Sequence, residues 1–368
     1  MGGSRPLRDH THVTIIALLA VVGLVQGVFL LGIVVLLVGN RRRAAARRIA
    51  QADIAAAMRG PVRRWLVGEG SVEDVARRLD ELPVNCALEQ ALVIATSRAA
   101  VTQRAELSQA IAGSPWVAAV MARARSRRWW RRLDAARLLA IVGGPRDRDL
   151  LRALLHDPHP AVRGIATASI PAVGDLDTVA QLLDALPDQP LVVRLYQFSV
   201  LRDTWWLATP ALIERLRPDA PAARLDAWIN LAESIATADV LEQVRQLHGH
   251  PDAGVRLAVA RALKRYFHPL AEEALVTLLG DADWRVRALA ARSLGTLGDA
   301  STVPRLATLL GDGQWWVRFR AGLALAQLGE AGRAALRAAR ADPDRYAAEM
   351  ATMVSGLSPG SVVELAEG

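Results

Sequence analysis

The sequence predicts an all-α protein, an α-solenoid of about seven two-helix repeats with a period of about 31 residues, behind one transmembrane helix. Three observations predict it. An arginine returns at Arg132, Arg163, Arg194, Arg224, Arg256, Arg287 and Arg318, at spacings of 31, 31, 30, 32, 31 and 31. Seven residues after each stands an aliphatic side chain: Leu139, Ile170, Leu201, Leu231, Leu263, Leu294 and Leu325. The 26 residues from Val13 to Val38 carry no charge. Composition agrees. Hydrophobic residues make up 52 % of the chain but aromatics only 5 %, so alanine, leucine and valine supply most of the apolar surface, as in closely packed helices.

In chain order, residues 1–12 form a short extracytoplasmic N-terminus. The span at 13–38 would extend about 39 Å as a helix, more than a ~30 Å hydrocarbon core. It is longer than the apolar stretch of a cleavable signal and runs into GNRRRAAARR without a small-residue cleavage site. The spacing therefore predicts an uncleaved single-pass anchor. Arg41, Arg42, Arg43, Arg47 and Arg48 follow it, against Arg5 and Arg8 before it. The positive-inside rule then places the C-terminal body in the cytoplasm, at the inner face of the plasma membrane. The same arginines suit anionic lipid headgroups. Gly23 and Gly27 form a G-x-x-x-G pattern that permits close packing of helices within the membrane.

Residues 39–64 read as a basic juxtamembrane helix. Residues 41–64 hold eight arginines against Asp53 alone, while 65–368 hold 35 basic and 35 acidic residues. The net charge of +8 is thus almost entirely one short segment, and the body is neutral. That distribution argues against nucleic acid as the partner. Cys86 is the single cysteine, which excludes an intrachain disulfide and a thiolate zinc site; a buried, inert thiol is expected there. Residues 65–125 read as a helical cap or degenerate repeats, 126–330 as the regular array and 331–368 as a C-terminal cap.

Within the array, valine precedes the arginine at Val162, Val193, Val255, Val286 and Val317, with Arg131 and Ala223 as exceptions. Three residues after it stand Ala135, Ala166, Ala227, Ala290 and Ala321, with Gln197 and Val259 departing. Positions −1, +3 and +7 share one helical face, so each block holds an amphipathic helix whose small central residue lets neighbours approach. Gly143, Gly174, Gly298 and Gly329 fall where that helix needs a stop. A leading helix precedes it, as in RDLLRALLHD and AEEALVTLLGD, across short turns such as DPHPAVR, DADWRVR and DGQWWVR.

These residues resemble the HEAT repeat, in particular the short bacterial variety also seen in phycobilin lyase-like proteins. The match is an Asp-x5-Arg spacing across the turn: Asp157 to Arg163, Asp188 to Arg194, Asp281 to Arg287 and Asp312 to Arg318. The resemblance implies a hydrogen-bonded ladder of these residues between successive repeats. The first, fourth and fifth blocks depart from it, with Ser126, Pro218 and His250 at the acidic position. It covers roughly residues 126–330, plus a partial closing repeat in which Glu349 takes the arginine position.

No Gly-rich phosphate loop, G-x-S-x-G or H-E-x-x-H occurs, and no catalytic residue, cofactor or metal is assigned. The pairs His156/His159 and His248/His250 fall at turns about three repeats apart, which does not suit one shared metal ion. Partner-binding candidates are the tryptophans. Trp129, Trp284 and Trp315 stand three residues before the arginine, and Trp130 and Trp316 two before it, in columns that elsewhere accept proline and alanine. Those columns suit a helix start rather than deep core. Trp205 and Trp206 break the period, as filler of an irregular joint or as a projection from a loop. The function expected is non-catalytic: a membrane-anchored cytoplasmic scaffold for a protein partner, with a membrane enzyme complex as one client class. The alternatives are a bilin-lyase-like subunit, which the resemblance brings in, and a nucleic-acid-binding HEAT-like protein.

Overall fold

The computed structural model describes residues 51–97 and 103–367, and its chain divides into two units, Met1–Ala119 and Val120–Gly368. The span at 13–38, Gly23, Gly27 and Arg41, Arg42, Arg43, Arg47 and Arg48 lie outside the described residues. Among the described residues no helix is long and apolar enough to cross a membrane, and every regular element is helical.

In the first unit, residues 51–66 are helical and bury Met58, Pro61 and Trp65 at intervals of three and four, while Arg59, Arg63 and Arg64 face outward. That pattern makes residues 51–66 one amphipathic helix. The Trp65 indole donates to Glu106 at 3.2 Å, so its polar edge is satisfied where its ring is buried. Helices Val72–Asp80, Val84–Thr96 and Arg104–Ile111 supply Val75, Leu79, Leu88, Ile94, Leu107 and Ile111 to the core. Cys86 is half-buried rather than buried. It lies in the first turn of Val84–Thr96, while the face that goes inward carries Ala87, Leu88 and Ala91.

In the second unit the arginine helices are Trp129–Val142, Pro160–Thr167, Leu191–Asp203, Ala222–Ile235, Ala253–Leu263, Trp284–Leu297 and Trp315–Gln327. Each packs on the next, and the last packs on Arg345–Ser355. The leading helices form a second layer: Arg148–Leu155, Leu176–Ala185, Trp205–Ile213, Ala238–Gln246 and Pro269–Leu278 are in successive contact, and Val303–Thr308 meets Gly329–Ala339. Between the layers lies one continuous apolar core, including Leu139, Ile170, Leu201, Leu231, Leu263, Leu294 and Leu325, each fully buried. Complete burial of such a side chain is worth about 1.5–3 kcal/mol. The alanine column is what brings the helices together. At Gly295 the approach is close, because an added Cβ would lie 2.8 Å from the Ala324 Cα on the neighbouring helix.

The stops are of two kinds. Gly298 ends its helix with φ +82°, a left-handed conformation that favours glycine. Gly143 has an ordinary φ of −64°, but a Cβ there would meet the Leu139 carbonyl at 2.4 Å. Gly329, at φ +64°, follows the cap residue Leu328 as the left-handed stop of Trp315–Gln327 and is also the first residue of Gly329–Ala339. The second repeat is irregular. Its arginine helix ends at Thr167 and resumes at Ile170–Val173, because Pro171 has no N–H to donate back to Thr167. Gln197 takes the alanine place in the third arginine helix and is fully buried.

Candidate interaction surface

The turn between the two helices is built from a repeated set of hydrogen bonds. Asp157, Asp281, Asp312 and Asp342 each accept the N–H two residues on, all at 2.8 Å. His250 does the same through Nδ1 at 3.0 Å, and Ser126 through its hydroxyl at 3.2 Å. The residue that donates that N–H is often itself the helix cap: His159, Asp252, Asp283 and Asp344 each accept an N–H of the first turn. The histidines are therefore turn formers. His156 and His248 bond the carbonyls of Arg152 and Arg245, and among the described residues no cluster of His, Cys, Asp or Glu suits a metal ion.

The arginine locks this turn from both sides. Nη1 of Arg132, Arg163, Arg256, Arg287 and Arg318 donates back to the carbonyl at the start of its own turn, at 2.7–2.9 Å. Three of them also reach forward in two-pronged contacts: Arg132 to Asp157, Arg256 to Asp281 and Arg287 to Asp312, with Nη2 at 2.8, 2.8 and 3.0 Å from the carboxylate. Such paired, charge-assisted bonds are strong because both geometry and charge match. The rungs thus join residues 25 apart. The positions with Ser126 and His250 do not interrupt them, because those turns use the backbone carbonyl and any short acceptor side chain.

Burial pushes the Asp157 carboxyl up, but bonds from Arg132 and the His159 N–H outweigh it and hold the group below the ordinary carboxylate range. For Asp281 the bond from Arg256 is the largest influence and again lowers the pKa, against opposing burial. Asp283 goes down to about 2, through the side chain and then the N–H of Arg285.

The middle of the array is wired differently. Arg163 meets Gln189 at 2.8 Å, not Asp188. Asp188 is exposed and only 3.8 Å from Arg224, and among the described residues Arg194 forms no rung. Instead the bonds run backward: Arg224 donates to the Asp184 carbonyl, the buried Trp228 indole to the Leu183 carbonyl, and Arg215 grips the Asp184 carboxylate with two bonds of 2.8 Å. The expected Asp188 and Arg194 rungs are absent because the turn residues QP and PDAP place no carboxylate opposite them. The last arginine, Arg318, lies over the Tyr346 ring at 4.7 Å in place of an acid.

The tryptophans stand on this framework. Trp129, Trp284 and Trp315 are the first residues of their helices, and Trp130 and Trp316 the second. All five are 38–51 % exposed. Trp129 stacks flat on the His159 ring at 3.9 Å, and Trp130 packs edge-on against it with Arg128 over its own face. Trp315 stacks on Phe319, and Trp316 stands edge-on to both. Trp284 and Trp316, with Leu257, Leu289, Arg285 and Arg320, line a shallow depression of about 270 Å³. Trp205 and Trp206 are neither filler nor loop. They begin the leading helix Trp205–Ile213 and are 49 % and 53 % exposed.

Sequence reasoning missed Leu191 and Val192, which occupy the same two columns in the third repeat and are 60 % and 80 % exposed. Leu195 and Tyr196, one turn on, are exposed as well. The signal was an apolar pair in a column otherwise holding tryptophan, proline or alanine.

Residues 271–355 match the family of HEAT repeats. The match covers the last regular repeats, including the forward rung from Arg287 to Asp312. No curated protein matches the chain. Among solved structures, YibA of E. coli is similar at 18 % identity and a TM-score of 0.34, over 65 % of this chain and 92 % of that one. Kap121p is similar at 13 % identity and 0.36, over 74 % of this chain and 41 % of its own. The complex of CpcE and CpcF of phycocyanin lyase from Nostoc sp. PCC7120 gives 19 % and 0.25, over 73 % and 92 %.

Proposed function

We propose that this chain is a membrane-anchored scaffold whose helical array holds a protein partner at the cytoplasmic face of the membrane. The observation that carries the reading is the exposed apolar column at the starts of the arginine helices, Trp129, Trp130, Leu191, Val192, Trp284, Trp315 and Trp316, with Trp205 and Trp206 at the start of the leading helix Trp205–Ile213. In the columns of the arginine helices the fold does not need these side chains, since the equivalent sites hold proline, alanine, glycine or arginine elsewhere. Exposed aromatic side chains beside arginine are the composition of protein-binding hot spots, where large rings lose water at little entropic cost. Support for the anchor is the uncharged stretch from Val13 to Val38 and the arginines Arg41 to Arg48 behind it. The neutral balance of residues 65–368 favours protein over nucleic acid.

Crosslinking of the full-length chain in its own membranes, followed by capture, tests the reading. A specific partner should be recovered by the native chain and lost by at least about tenfold when Trp205 and Trp206, or Trp315 and Trp316, become alanine, as truncation of a hot spot costs 2 kcal/mol or more. Unchanged recovery of every partner by both folded variants would remove the surface from the proposal.

A further inference from the structure

A second feature lies at the other ends of the arginine helices, away from the tryptophan column. Residues 264–267 after Ala253–Leu263, the C-terminal ends of Trp284–Leu297, Trp315–Gln327 and Arg345–Ser355, and the helices Gly329–Ala339 and Pro359–Glu367 line an open-mouthed cavity of about 1110 Å³. The terminal helix packs against Trp315–Gln327, where Arg320 donates to the Leu365 carbonyl at 2.7 Å. That volume is at the upper end of the roughly 300–1,000 Å³ typical of ligand pockets.

Two properties of the wall point the same way. Its apolar part is formed by Leu336, Val354, Val362 and Ala366, each less than 8 % exposed overall, which gives a continuous hydrophobic floor. Its charged part is of one sign: Lys264, Arg265, Arg292, Arg333, Arg337 and Arg340 line it, and no Asp or Glu does. Arg333 and Arg337 are tied to Glu330 outside the lining, whereas Lys264, Arg265 and Arg340 make no ion pair among the described residues. In a body whose charges otherwise balance, a one-sign wall raises the local potential for an anion. At the mouth stands Phe267, 73 % exposed and held at φ +25°, a backbone conformation that is strained for a bulky residue. Strain of this kind concentrates at ligand sites, where the fold keeps a side chain in place at a cost.

We propose that this cavity binds an anionic amphiphile, a single aliphatic chain carrying a carboxylate or phosphate head, with the chain on the Leu336–Val354–Val362 floor and the head among Arg265, Arg340 and Lys264. A bare phosphate would leave the floor in contact with water, and an uncharged lipid would leave the cations without a counterion.

The test uses the full-length protein in phosphatidylcholine nanodiscs with three photoreactive diazirine probes: hexadecanoic acid, hexadecyl phosphate and hexadecanol. Labelled peptides are then mapped. The acid or the phosphate should label residues 329–339 and 359–367, and which of them labels more strongly identifies the head. The alcohol should not label there. The doubly substituted Arg265→Glu, Arg340→Glu chain should lose this labelling roughly tenfold, as expected for two partly desolvated charge contacts. Both side chains are exposed and unpaired, so thermal melting should be unchanged and an unfolded variant would be recognised. Arg146→Glu, at the far end of the array, should label like the native chain. Equal labelling by the alcohol, or labels confined to other segments, would overturn the proposal. So would protection of the site by an acidic peptide with no labelling by either anion, which would assign the cavity to a protein.

Discussion

Asp157 is 5 % exposed and accepts two bonds from Arg132, whereas Asp188, one repeat later, is exposed and lies 3.8 Å from its nearest guanidinium. The two occupy the same sequence position and are expected to matter very differently. Asp157→Ala removes a satisfied acceptor, leaves Arg132 and the His159 N–H without it, and should cost about 2–3 kcal/mol in chemical denaturation. Asp188→Ala should stay within about 0.5 kcal/mol, as for a solvent-screened surface pair. Equal effects would mean that the forward rungs do not hold the turns. A pH measurement separates charge from packing. Because Asp281 titrates below its unfolded value of about 3.9, its contribution is complete above that value and disappears as the pH falls through the folded pKa. The native chain should therefore lose stability between pH 5 and pH 2 more steeply than Asp281→Asn, which keeps an acceptor for the Asp283 N–H but has no charge to lose. Parallel curves for the two would count against the ion pair.

At the scale of helices, the period of the arginines and of the leucine seven residues later was enough to place the seven arginine helices, since both follow from one face of a helix turning inward. The partners across the turns were less legible. Which acceptor faces Arg163 depends on the turn's path, and QP carries Gln189 rather than Asp188 to it. The backward bonds of Arg215, Arg224 and Trp228 to residues 183 and 184 have no local signature, because they arise from how one helix pair sits on the previous one. Nor could periodicity reveal the cavity, whose wall adds the closing helices Gly329–Ala339, Arg345–Ser355 and Pro359–Glu367 to the ends of the last arginine helices. The helix pair Trp284–Leu297 and Trp315–Gln327 offers a test of close packing. A leucine at Gly295 would bring a side chain against Ala324 and Gln327, where even a Cβ would come within 2.9 Å. Overpacking of that kind costs about 1–3 kcal/mol, so Gly295→Leu should lower the unfolding free energy by that amount in chemical denaturation, while Gly313→Ala, in an open turn, should leave it in place.

Across the whole molecule the charges are divided in a way that fits a tether. The basic excess gathers at 41–64, residues 65–368 are balanced, and the aromatic column of the array stands exposed. Each part can be tested against the others by where the chain goes. If residues 13–38 form the anchor, the protein should resist carbonate extraction from membranes and a chain lacking residues 1–40 should not. If the arginines set orientation, protease added to inverted inner-membrane vesicles should digest the array, and the same protease outside intact spheroplasts should not reach it. Replacing Arg41, Arg42, Arg43, Arg47 and Arg48 with glutamine while adding lysines before Val13 should reverse that pattern for a measurable fraction of chains. An array protected in inverted vesicles, or a native chain that washes off with carbonate, would detach the scaffold from the membrane and leave the aromatic column to be explained by a soluble assembly.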